Sequence, residues 1–293
     1  MINNLSVKNE KLPFLSKDIS MGNCSNLPDF SKGPKGDERA VLEAIKNAGY
    51  EGVQGADPQI CNQLGLRYSA IGRVNKVGDE EDNFKMWKEQ GYECATLHVG
   101  WGMESDAEVY ALIEYVLANS VITGLPIYIE THRATITQDI WRTVKMVEKF
   151  PEVRFNGDFS HWYTGLEMKY GGFENKLRFI QPVLDRVNFI HARIGTAGCI
   201  QVGIKNDGTE PYVEHFKEMW KKSFIGFLKR AKNGEYLSFT PELLKPEQSY
   251  ARVFPNAEGQ LVEESDRWEQ AKLYTKIALE VWEQAKKEIA IKQ

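Results

Sequence analysis

The sequence predicts an α/β fold, a (β/α)8 barrel built as a single domain over residues 1–293. Three observations carry that prediction. Short apolar or β-branched runs alternate with helical patterns, and strands separated by helices pair in parallel through crossovers. Eight such units can be counted, which at this length favours a closed barrel over an open doubly wound sheet. No linker, repeat or low-complexity tract divides the chain.

Taken in order, the first strand is expected at 18–23, followed by a Gly/Pro-rich loop at 31–37. A helix follows at 39–48, where Val41, Leu42 and Ile45 form an apolar stripe stopped by Gly49. Strand two is expected at 52–56, a short helix at 58–64 and strand three at 67–74. A helix at 81–90 carries Phe84 and Trp87 on one face, and strand four occupies 94–99. The clearest helix comes next. Ser105 and Glu108 form a capping box, and Val109, Leu112, Ile113, Val116 and Leu117 keep the i, i+3, i+4 spacing until Gly124 and Pro126 end it. Strand five is the run from Pro126 to Arg133. Thr135 and Gln138 are expected to cap a helix whose stripe is Ile140, Val144 and Val147. Strand six is expected at 154–159, a helix at 174–184, strand seven at 187–194, a helix at 213–231, strand eight at 236–242 and a last helix from Trp268. The polar stretches 205–215 and 245–265 follow strands seven and eight, where they would wall or cover a site.

Bulk properties exclude several classes. Apolar residues make up 42% and charged residues 27%, a soluble globular composition, and seven Trp supply enough aromatic surface for a pocket as well as a core. Net charge is −4, so there is no global basic field for nucleic acid. No run has the length of a membrane span, and residues 1–17 lack the apolar segment of a signal peptide. Cys24, Cys61, Cys94 and Cys199 are scattered, which reads as free thiols in a reducing, cytoplasmic setting. No Gly-rich phosphate loop, nucleophile elbow or dinucleotide fingerprint is present.

In a barrel of this type chemistry is expected at the C-terminal ends of the strands. Strand four ends with His98, strand five with Glu130, and strand six with Asp158 followed by His161. Strand seven carries His191 and Arg193, and strand eight ends at Glu242. Side chains alternate across a strand. Asn156 and Asp158 therefore share a face, as do Phe189, His191 and Arg193, and Ser238, Thr240 and Glu242. Glu130, Asp158, His191 and Glu242 form an oxygen-rich set with one nitrogen, suited to a single divalent ion, Mn²⁺ first, with Mg²⁺, Co²⁺ or Zn²⁺ as alternatives. Three carboxylates crowded without a cation would repel one another. Trp101, Trp162 and Tyr163 lie just past strand ends and either form a platform for a sugar face or pack their loops. His98 and His132 either touch substrate or hydrogen-bond within the mouth. His215, beside Lys217 and Glu218, is expected to face solvent.

The order Glu130, Asp158, His191, Glu242, with the pieces Glu-Thr-His-Arg133, Gly-Asp-Phe-Ser-His-Trp162 and His-Ala-Arg193, resembles the xylose isomerase-like barrel superfamily. That group spans sugar and sugar-phosphate isomerases and epimerases, dehydratases and endonuclease IV. The resemblance covers nearly the whole chain. The ketose 3-epimerases of this group imply metal ligation by Glu130, Asp158, His191 and Glu242, with the two glutamates also acting as the acid/base pair. They further imply a substrate contact from His161 in Asp-x-x-His. Their substrate-binding arginine falls a few residues beyond Arg193, and a further glutamate they carry after the strand-five ligand is absent here. Arg193 would steady an enediolate oxygen or bind a phosphate.

The activity implied is a metal-dependent isomerase or epimerase of a sugar or sugar phosphate, acting by proton abstraction beside a chelated carbonyl. A lyase, either a dehydratase or a 3-keto-glycoside eliminase, is the alternative from the same site. An abasic-site nuclease is disfavoured. Strand three offers Ser69, Ala70 and Ile71 where another histidine is needed, and Gly195-Thr-Ala-Gly198 follows strand seven in place of Asp-x-His. The expected partner is a small carbohydrate, with neither nucleic acid nor membrane, and a homo-oligomer is compatible with barrels of this kind.

Overall fold

A computed structural model describes residues 12–205 and 208–291. The signal-peptide reading therefore lies outside the described residues up to position 11, as does part of the 205–215 loop. Eight parallel strands close into a barrel in sequence order. They are β1 (Phe14–Ser20), β2 (Gly52–Gln54), β3 (Arg67–Val74), β4 (Ala95–Val99), β5 (Ile127–Glu130), β6 (Phe155–Asn156), β7 (Val187–Ala192) and β8 (Tyr236–Pro241). Closure comes from β1 beside β8, with Phe14 opposite Tyr236 and Ser16 opposite Ser238. The helices between them are α1 (Glu38–Asn47), α2 (Pro58–Leu64), α3 (Glu81–Glu89), α4 (Asp106–Thr123), α5 (Ile140–Lys149), α6 (Phe159–Gly165), α7 (Phe173–Phe179), α8 (Gln181–Leu184), α9 (Pro211–Leu228) and α10 (Arg267–Ile291). No described helix is long and apolar enough to cross a membrane.

Strand alternation sorts the side chains into two layers. On β8, Leu237 and Phe239 point outward, and Trp220 of α9 meets the Phe239 ring edge-on at 5.0 Å. Ser238 and Thr240 point into the barrel, where both are buried. The helix ends follow local chemistry. The Ser105/Glu108 capping box forms as expected at the start of α4. Asp57 accepts N–H bonds from Gln59 and Ile60 ahead of Pro58, and Gly65 closes α2 in the left-handed region.

Several boundaries differ from the sequence expectation, each for a physical reason. β1 begins at Phe14, four residues early, because its first residues pair with β8. Met21–Cys24 turns into a 3-10 helix once the Ser20 hydroxyl accepts the Gly22 N–H. The cap of α5 is Asp139, which accepts from the Arg142 N–H, and not Thr135. Thr135 instead donates to the His132 carbonyl at 2.7 Å. The helix expected at 174–184 breaks at Ile180, since Pro182 has no N–H to continue the ladder and its ring crowds the preceding turn. β6 is only two residues long. Asp158 caps α6 at once by accepting the Ser160 N–H, and Gly157 before it has no room for a Cβ, which would sit 2.6 Å from the Phe159 ring. Within 245–265 the chain forms an antiparallel pair, β9 (Val253–Pro255) and β10 (Leu261–Glu263).

Candidate metal centre

Four strands deliver four donors to one point at the C-terminal mouth. Glu130 is the last residue of β5, and His191 lies one from the end of β7. Asp158 caps α6 just past β6, and Glu242 follows β8 directly. One ligand atom from each of Glu130, Asp158, His191 and Glu242 lies within 4.8 Å of all the others. Trans ligands at about 2.1 Å from a small divalent ion stand about 4.2 Å apart, so modest contraction closes this set on one ion.

The backbone around each donor is fixed. The Thr137 hydroxyl donates to the Glu130 carbonyl at 2.6 Å, and the Thr131 hydroxyl to the Asp158 carbonyl at 3.0 Å. Asp158 uses Oδ1 for the Ser160 N–H at 3.1 Å and hydroxyl at 2.5 Å, which leaves Oδ2 turned to the mouth. Asn156 Nδ2 lies 3.0 Å from Glu130 Oε2 and 2.9 Å from His191 Nδ1. His191 Nδ1 is 3.1 Å from Glu130 Oε2 and 3.6 Å from Glu242 Oε2.

Arg193, just past β7, is the cation among these acids. Its Nη1 donates to Asp158 Oδ2 at 2.6 Å, its Nη2 to Glu242 Oε2 at 2.5 Å, and its Nε to the Glu242 carbonyl at 3.0 Å. It is 1% exposed, with its donors spent on the carboxylates themselves. Three buried carboxylates thus face one arginine; with His191 neutral, as a ligand must be, the deficit is two positive charges, which a divalent ion would cancel. The field shows in the titrations. Burial disfavours charge on Glu130, yet His191 and His98 hold its carboxyl well below the usual range. Burial likewise acts against Asp158, and Arg193 with His161 holds it low. Burial pushes His191 down, but Glu242 and Glu130 outweigh it and raise the imidazole to about 9. A field that draws a proton to that ring will draw a metal cation to the same place. The donor chemistry and charge therefore fit a divalent ion.

A histidine column stands beside the ligands. His98 Nε2 is 3.3 Å from Glu130 Oε1. Its ring lies 4.1 Å from His132, which lies 3.8 Å from His161. His161 Nε2 approaches Asp158 Oδ2 at 3.4 Å, while its Nδ1 is buried without a hydrogen-bond partner. Burial and the adjacent His161 push His132 down to about 3, so it stays neutral. Tyr250, from the segment before β9, covers this group. The Arg193 guanidinium lies 4.4 Å from the Tyr250 ring centre, and the Tyr250 hydroxyl is 3.5 Å from His132 Nε2.

The structure therefore brings Glu130, Asp158, His191, Glu242, Arg193, His161, His98 and His132 together. The expected aromatic platform does not form. Trp162 is fully buried with its indole N–H on the Thr137 carbonyl at 2.7 Å, and buried Tyr163 bonds His215 Nδ1 at 2.8 Å. Trp101 is exposed, with the Arg73 guanidinium 3.6 Å over its ring. His215 is partly exposed rather than fully solvent-facing, since its ring stacks on Phe173 at 3.8 Å. Sequence reasoning missed Gln54, Arg73 and Tyr250. Gln54 ends a three-residue strand too short to display alternation. Tyr250 sits in an irregular segment, where no period marks which side chain turns inward.

No family model and no curated protein matches the chain. Among solved structures it is similar to the probable 3-DHS dehydratase AsbF from Bacillus anthracis, at 13% identity over 62% of this chain and 75% of that one, with a TM-score of 0.46. It is also similar to the catalytic core of xylanase A, at 7% identity over 91% and 98% of the two chains and a TM-score of 0.43. N-acetylneuraminate lyase from Fusobacterium nucleatum matches at 8% identity over 93% and 97%, with a TM-score of 0.31. The barrel is read from its own strand pairing and the site from its own residues: a (β/α)8 protein with an acidic, histidine-bearing metal-type centre at its mouth.

Proposed function

We propose that this chain is a divalent-metal-dependent isomerase or epimerase of a sugar or sugar phosphate, working by proton transfer beside a carbonyl. The convergence of Glu130, Asp158, His191 and Glu242 within 4.8 Å carries the reading. These four residues would hold the ion, and an oxygen-rich set with one imidazole suits Mn²⁺ best. When bound, the ion polarises the substrate carbonyl and acidifies the neighbouring C–H.

The remaining work falls to the chain. Glu130 and Glu242 reach the centre from β5 and β8 and flank His191, so one carboxylate takes the proton and the other returns one. Arg193 fixes Asp158 and Glu242 in their rotamers, and His98 Nε2 does the same for Glu130 Oε1. His161 Nδ1, buried and unpartnered, is the group to meet a substrate hydroxyl. Tyr250 lies over Arg193 and His132 and forms one wall of the mouth. A cytosolic setting is proposed from four free cysteines, three of them buried.

The test is chelated, metal-free protein against metal-restored protein in D₂O, offered ketoses, keto-glycosides and sugar phosphates. Solvent deuterium should enter the substrate only when metal is restored, with product of unchanged skeleton mass. Undiminished turnover without metal removes the reading. Loss of water or an aglycone from the product would assign the same proton abstraction to an elimination.

A further inference from the structure

Gln54 touches no other part of the proposed chemistry, yet it is 2% exposed and points across the barrel at His191. Its Oε1 lies 2.5 Å from His191 Nε2, on a strand three places away around the barrel. The orientation of its amide is fixed. Nε2 sits 3.3 Å from the Ala70 carbonyl, which can only accept, and 3.0 Å from the Thr96 hydroxyl. Turning the amide over would set Oε1 against the Ala70 carbonyl and leave two acceptors facing each other. The oxygen must therefore face His191, and an oxygen there demands a proton on Nε2. Asn156 is locked in the same way. Its Oδ1 accepts the His191 backbone N–H at 2.9 Å, so its Nδ2 must be the atom beside Nδ1.

We infer that Gln54 is a positioning residue that holds His191 in the Nε2–H form and so keeps Nδ1, which accepts from Asn156 Nδ2 in the metal-free site, unprotonated for the metal. The inference rests on the metal reading above for its purpose, but its geometry is complete without the ion. Ligating imidazoles are commonly oriented by a hydrogen bond from the second ring nitrogen, most often to a carboxylate or a backbone carbonyl. Here a neutral amide does it, so the orienting group adds no charge to a centre that already holds three carboxylates.

The test combines nitrogen-15 long-range correlation spectra of the metal-free protein with Mn²⁺ titration calorimetry. The chain has five histidines, so His191 is assigned by its loss in His191→Gln. Spectra are recorded in alkaline solution, at a pH where the ring signals no longer shift and the imidazole is neutral. Wild-type protein should show the Nε2–H tautomer. Gln54→Met, which fills the space without an acceptor, should lower the Nε2–H fraction, leaving Asn156 alone to favour it, and bind Mn²⁺ about 10–100-fold more weakly.

An Nδ1–H tautomer in the wild type overturns the inference, and that spectrum needs no variant to fold. So does a Gln54→Met protein with tautomer and affinity unchanged, or with affinity lost while the tautomer holds. Absence of Mn²⁺ binding by the wild type would remove the metal reading instead, and the tautomer spectra alone would then judge Gln54.

Discussion

Asp18 and Glu130 are both buried carboxylates inside the barrel, and their surroundings differ in kind. Toward the floor, Asp18 accepts from the Ser16 hydroxyl at 2.5 Å and from the Ser238 hydroxyl, with Arg67 3.6 Å away. Burial dominates there and pushes its carboxyl up. At the mouth, Glu130 and Asp158 are buried as deeply, yet both are held low by cationic neighbours. The floor supplies hydroxyls, which serve a neutral acid as well as a charged one. The mouth supplies an arginine and imidazoles, which preserve charge. A fold that merely tolerates a buried acid surrounds it as the floor does, whereas the mouth is built to keep its carboxylates ionised in an apolar setting. Three acids to one arginine leave room for a divalent ion.

The comparison breaks most readily at Glu130. Glu130→Gln keeps shape and removes charge, and the mouth should lose both a ligand and a proton acceptor. Turnover should fall about 10²–10⁴-fold or more, and Glu242→Gln should behave alike. Steady-state rates with Mn²⁺ calorimetry on the same samples check this, and near-normal activity in either variant would take the acid/base roles from the pair.

Arg193 sharpens the comparison. Removing it from the metal-free protein leaves three buried carboxylates without a fixed counter-charge, and breaking such a buried pair costs about 3–5 kcal/mol. Arg193→Met should therefore melt well below wild type when metal-free and recover much of the loss when Mn²⁺ is added, since the ion takes over the compensation. Equal destabilisation with and without Mn²⁺, read by urea titration, would mean that Arg193 acts through packing rather than charge.

Most of this was legible in the chain. Eight alternating units and the charged residues at strand ends located the barrel and the four candidate ligands, because strand parity and strand-end position are local properties. What stayed hidden depended on distance in space. His215 sits among lysines and glutamates on a helix face, and only the fold brings Phe173 onto its ring. Trp162 lies beside His161 in sequence, but one residue along α6 separates the mouth from the core. The α5 cap was misplaced because Thr135 and Asp139 can both cap a helix, and the loop ties Thr135 to His132 instead. Gln54 was invisible for a related reason, since its partner lies 137 positions away.

The smallest effect belongs to the floor, and its sign is the informative part. Asp18 has a folded value raised above its ordinary 3.8, so the stability it contributes is present below that value and lost as pH rises through the folded one. Glu130 and Asp158 run the opposite way: held low when folded, they stabilise above the ordinary carboxylate range and lose that as pH falls. His191, raised from 6.5 to about 9, stabilises the metal-free protein below 6.5 and ceases to do so as pH climbs through 9. Metal-free protein should thus be most stable in mildly acidic solution, with the decline on the alkaline side set by the mouth. Asp18→Asn should leave that alkaline decline, the Mn²⁺ affinity and turnover unchanged. At neutral pH its stability should match or slightly exceed wild type, because the hydroxyls around it serve a neutral group as well and the buried charge is gone. Urea titrations at pH 5, 7 and 9 decide the matter. A large loss at pH 7 would show that the floor, too, is built around an ionised acid, and the contrast between the two ends of the barrel would fall.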